Sequence, residues 1–227
     1  ATSLLYVPGM IWFVLIGMLW YWKRIDRLFK KRLTAVGIGA VLVLAAIAPL
    51  GWAVFHNLDI GKQLLGLPVH GWPSPISALG ALIDVPLAIM WRGPLDPVHW
   101  LGRLPLVDVF TLAMFGLGLY TYGRYARLGR STLTALILVL GSLLIALGGG
   151  VTLSIIVPFV YIVAAVGTDF MLEYWYRIFP RNIIAQGVGA LLLSFAIIIA
   201  VWYNLRHYYV AWPNAPETRA VFTIHKQ

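Results

Sequence analysis

Cysteine is absent from this chain of 227 residues, and acidic side chains are scarce, with 8 Asp and Glu against 17 Lys and Arg. The first absence removes disulfides, thiolate metal sites and cysteine nucleophiles, and it leaves the redox compartment open. The second leaves few carboxylates for acid–base chemistry. Charge of either sign is thin, at 11% of residues. No HxH or HExxH pattern occurs, so His56, His70, His99, His207 and His225 lack the spacing of a zinc site, which needs three or four converging ligands. They read as interfacial or solvated side chains. No metal and no cofactor is expected, and no complete catalytic motif is present.

What the chain has instead is apolar length. Hydrophobic residues make up 61% of it, and the mean hydropathy is +0.86. Six long apolar stretches are separated by short Arg/Lys clusters. About 20 apolar residues suffice to cross a bilayer as a helix. The sequence therefore predicts an all-α integral membrane protein, a single domain with a bundle of about six transmembrane helices. The formal charge of +9 fits loops that orient helices and meet anionic lipid headgroups, so membrane lipids are expected as partners and nucleic acid is not.

The expected spans are about Leu4–Trp22, Leu33–Phe55, Leu106–Gly123, Ser131–Gly148, Val151–Tyr176 and Ile183–Leu205. The first has Pro8 and Gly9 near one end. It closes on Trp20, Tyr21 and Trp22 and then Lys23 and Arg24, an interfacial signature without a small-residue cleavage site, and so reads as a retained span. Between spans two and three lies a Pro- and Gly-rich loop, His56–Pro105. Its segment Ile76–Trp91 carries Asp84 and Pro86 near the middle, which favours an interfacial or re-entrant helix over a seventh span. A polar tail, Arg206–Gln227, follows the last span. The three short connections at 23–32, 124–130 and 177–182 hold 11 of the 17 basic residues. By the positive-inside rule they face the cytoplasm, which puts the loop His56–Pro105 and both termini outside the plasma (inner) membrane.

Few residues offer chemistry. Asp108 stands at the start of span three, where a carboxylate is either a functional group or a helix cap. Glu173 and Arg177 are four apart and suit a helical ion pair. Spans two, four and six contain no acidic residue, which argues against a proton relay and an ion-coupled transporter. The outer loop and tail hold Asp59, Asp84 and Asp96 with Arg92, Arg103, Arg206 and Arg219. Carboxylates and arginines in that company suit a lipid-phosphate-dependent transferase, although they would also suit an ordinary loop. The aromatic clusters Tyr174–Tyr176 and Trp202–Tyr203 read as interfacial belts, and the tail segment His207–Arg219 as either docking on the outer loop or binding a ligand. Gly116, Gly118 and the run Gly148–Gly150 are candidate sites of close helix approach.

The run PLDPVHWLGRLPLVDVF at 94–110 leads into a span that ends LGLYTYGRYARLGR. IIVPFVYIVAAVG at 155–167 and YWYRIFPRN at 174–182 follow it. From about His56 onward this succession resembles the C-terminal membrane half of bacterial protein-mannosyltransferase-like glycosyltransferases. These are enzymes of the GT-C type that use polyprenyl-phosphate-linked sugars. The family's catalytic acidic residue lies in its first outer loop, and no acidic residue precedes Lys23 here. No catalytic residue is therefore carried over. The chain looks like the second half of such an enzyme, either part of a longer protein or a relative that has lost the chemistry. The resemblance implies a module handling a polyprenyl-phosphate-linked sugar on the outer face. Arg92 and Arg103 are the candidates for its phosphate, from their place in the outer loop. The alternatives are a non-catalytic scaffold subunit with a partner membrane protein, and a transporter.

Overall fold

The computed structural model describes residues 7–23, 26, 33–69, 71–93, 102–125 and 129–223. Every regular element among them is helical. Four helices, Gly37–His56, Gly129–Ala146, Val157–Ile178 and Ile183–Asn214, are long and apolar enough to cross a membrane. They fall on expected spans two, four, five and six. The chain is thus an all-α integral membrane protein. It divides into two compact units, one formed by Ala1–Leu82 with Thr132–Val157 and the other by Ile83–Ser131 with Pro158–Gln227.

The first unit begins with α1, Met10–Trp20. The expected span started six residues earlier. The helix starts late because Gly9, with φ +77, sits in the left-handed region at its N-terminus, a conformation that side chains with a Cβ resist. Gly9 N–H donates to the Leu64 carbonyl at 2.8 Å, and Trp12 Nε1 donates to the Leu65 carbonyl at 2.9 Å. These bonds pin α1 to the end of a short helix, α3 (Leu58–Leu64). Between α1 and α3 runs α2, Leu33–His56, as the apolar run predicts. Not one residue of its window Gly37–His56 is buried inside the protein. Such a surface has no place in water, and lipid is the solvent that accepts it. Phe13, Leu144, Val151, Ile155 and Ile156 form the core.

The helices α4 (Pro75–Met90) and α6 (Gly129–Ala146) each have one end in either unit. At 16 residues, α4 is about 24 Å long, short of the hydrocarbon thickness. Asp84 is exposed on it, and Val85, Ala88 and Ile89 are buried.

The second unit contains α5 (Val109–Arg124), α7 (Val157–Ile178) from Pro158 onward, and α8 (Ile183–Arg206). Its core holds Val160 and Val163, both 0% exposed, with Met114 and Phe115. Three expected boundaries shift. Span three starts at Val109 and not Leu106, because Asp108 caps the helix there and Leu106 N–H is already committed to the Ala88 carbonyl at 3.0 Å. Span five starts at Val157, after a 3₁₀ turn at Leu153–Ile155. Pro158 therefore lies in the first turn, where its missing N–H costs no hydrogen bond, and not in the helix interior. The last span does not end at Leu205. Helix α8 runs through a π-helical turn, His207–Ala211, to Asn214, and a further helix, α9 (Pro216–Thr223), follows.

Candidate functional site

A cleft of about 680 Å³ opens in the second unit. Its apolar walls come from α5 and the segment before it (Leu106, Val107, Leu112) and from α8 (Ala196, Ile199, Ala200). The end of α4 and the approach to α5 contribute Met90, Leu104 and Pro105. Polar atoms collect at one end, around Asp108, Asn204 and His207.

Asp108 is where local folding and the cleft meet. Its backbone is extended, and its carboxylate accepts from Thr111 N–H at 3.0 Å and from Thr111 Oγ1 at 2.7 Å. It is the N-cap of α5, and the capping role expected of it is present. The same carboxylate also lines the cleft. Asn204, one turn from the end of α8, donates through Nδ2 to Asp108 Oδ2 at 3.4 Å and to the Ala200 carbonyl at 2.8 Å.

His207 begins the π turn. Its Nδ1 lies 3.1 Å from the Tyr203 carbonyl, and its ring packs on Tyr203 at 4.2 Å. A carbonyl only accepts, so Nδ1 is the donor in this contact. The π turn adds a residue to the helical repeat, a device common at functional sites. After it, Tyr208 and Trp212 stack with ring centroids 5.7 Å apart at 13°, and both border the cleft.

Arg92 and Arg103 are exposed and do not line this cleft. Their backbones are neighbours nonetheless, because Gly93 N–H donates to the Arg103 carbonyl at 3.2 Å. Asp96, His70, His99 and His225 lie outside the described residues. Asp59 is engaged locally, accepting from Lys62 Nζ at 3.1 Å. Arg219 bonds Asn214 Oδ1 and the Pro213 carbonyl, inside the tail itself. Glu173 and Arg177 form the expected pair at 2.8 Å, fully on the surface.

Sequence reasoning missed two features. Asn204 is a lone amide near the end of an apolar span, which was a usable signal. Trp175 was read as part of a belt, but its Nε1 donates to the Ala185 carbonyl at 2.9 Å and its ring lies over Gly189, so it ties α7 to α8. No protein-family model matches the chain, and no curated protein and no solved structure shows significant similarity to it.

Proposed function

We propose that the chain is a glycosyltransferase-like membrane module that holds a polyprenyl-phosphate-linked sugar on the outer face of the plasma (inner) membrane. The observation that carries this is the Gly93–Arg103 hydrogen bond. It sets the backbones of two exposed arginines, eleven positions apart, beside each other next to apolar helices. A phosphate monoanion or diester wants paired guanidinium donors, and an isoprenoid tail wants an apolar bed beside them. The order of loop, span, basic turn and second span in the resembling enzymes supports the same reading.

Native mass spectrometry of protein gently extracted from its own membrane tests it. A bound polyprenyl-phosphate species is the expected result. Arg92→Ala and Arg103→Ala are each expected to weaken binding of added polyprenyl phosphate about tenfold or more, the range for a lost charged hydrogen bond. Unchanged binding in both variants removes this site.

The bare surface of α2 favours a second reading. A spanning helix with no residue buried inside its own protein also suits a scaffold subunit whose spans receive a partner membrane protein. A stoichiometric partner polypeptide without the sugar lipid, in the same experiment, supports that reading instead.

A further inference from the structure

The polar end of the cleft in the second unit has an unbalanced hydrogen-bond inventory. Both donor hydrogens of Asn204 Nδ2 are used, on Asp108 and Ala200, so what its amide still offers is an acceptor, the side-chain oxygen. The Asp108 carboxylate takes three donors, two from Thr111 and one from Asn204, and keeps a lone pair on Oδ1. The open groups are therefore acceptors, and one of them carries a full negative charge. Among the described residues no cation pairs with Asp108; its partners are a hydroxyl, a backbone amide and a side-chain amide. Asp108 is the one acidic side chain among the residues that line the cleft, and no Lys or Arg is among them, so this end is open to a cation.

The surroundings specify that charge. Tyr203, Tyr208 and Trp212 border the same end, and ring faces attract ammonium groups. From Asn204 back to Ala196 the apolar wall of α8 runs about 12 Å at the helical rise. That is an elongated surface suited to a hydrocarbon chain. An anionic headgroup would place its charge against Asp108 with no cation to separate them.

We propose that this cleft binds a phospholipid with a primary ammonium headgroup, its ammonium at Asp108 and Asn204 and one acyl chain along α8. The site stands apart from the sugar-lipid reading, whose arginines it does not use.

The test offers the delipidated full-length protein an equimolar mixture of phosphatidylethanolamine and phosphatidylglycerol with identical acyl chains, read by native mass spectrometry. The native chain is expected to retain phosphatidylethanolamine in preference to phosphatidylglycerol. Asp108→Asn removes the charge but keeps an equally good cap, so the fold is preserved while the preference falls about tenfold or more. Tyr208→Leu, at an exposed ring, leaves the cap untouched and is expected to weaken phosphatidylethanolamine binding about threefold. Equal retention of both lipids by the native chain overturns the assignment. So does a native preference that survives in both variants.

Discussion

Two glycines decide how closely the second unit packs. A Cβ on Gly118 would run into the Val163 carbonyl of α7, and a Cβ on Gly167 would run into the Met114 carbonyl of α5. Each glycine lets the other helix's backbone approach, the arrangement by which apolar helices associate where no hydrophobic driving force separates them from lipid. Gly116 sits two residues from Gly118 yet meets nothing within 4 Å. The contrast gives a matched pair. Gly118→Ala is expected to lower stability by about 1–3 kcal/mol, since the obstacle is backbone and cannot rotate aside. Gly116→Ala is expected to leave stability unchanged or slightly raised, because alanine is the better helix former. Thermal unfolding of both variants in one detergent measures the difference, and equal Tm values would contradict the close crossing. The sequence exposed Gly116 and Gly118 alike as candidates. It could not separate them, because which face of α5 meets α7 depends on a partner 45 residues downstream, at Val163.

At the scale of elements, the ends carry more information than the middles. Asn182 accepts from Ala185 N–H at 3.0 Å and caps α8, while Gln186 Nε2 reaches back to the Phe179 carbonyl at 2.9 Å. Together with the Trp175 bond to Ala185, these make the RIFPRN connection an ordered hinge between α7 and α8. Asn182→Ala is expected to cost about 1 kcal/mol. Asn182→Asp, which keeps the acceptor, is expected to retain the native Tm within a degree or two, and a comparable loss in both variants would contradict the cap. The span α2 was legible within a residue because one uninterrupted apolar run specifies it. The starts of α1, α5 and α7 were not, because each is set by a local backbone event: the left-handed Gly9, the Asp108 cap, and the 3₁₀ turn before Val157. The extension of α8 was hidden for another reason. Residues from Arg206 onward are polar and aromatic, and hydropathy alone marks their helix as finished. The stacking of Tyr208 on Trp212 and the bond from His207 to Tyr203 continue it. The candidate site was legible only in part. Asp108 was visible as a carboxylate at a span boundary, but its meeting with Asn204, 96 residues away, belongs to the fold.

For the whole molecule the open question is which side of the membrane each connection faces, and charge distribution gives a definite expectation. The connections at 23–32, 124–130 and 177–182 hold most of the basic residues in few positions. Positive charge resists translocation, so these are expected in the cytoplasm, with the α4–α5 connection and α9 expected outside. The native chain has no cysteine, so a single introduced thiol reports its own side without background. Arg181→Cys and Glu217→Cys change exposed positions in the α7–α8 connection and in α9; Gly102→Cys has open space around it and takes on the local strain of a left-handed φ of +56 in a turn. A membrane-impermeant maleimide applied to intact cells or spheroplasts is expected to label Gly102→Cys and Glu217→Cys, and to label Arg181→Cys only after the membrane is opened. The argument turns on Gly102 and Glu217 sharing a side. Between them lie α5, α6, α7 and α8, and four crossings return the chain to its starting side. If α5, at 16 residues, fails to cross, three crossings remain and the two positions separate. Labelling of only one of them from outside would therefore identify α5 as the element that stays on one side of the bilayer, and would remove the topology that puts the paired arginines and the tail on a common face.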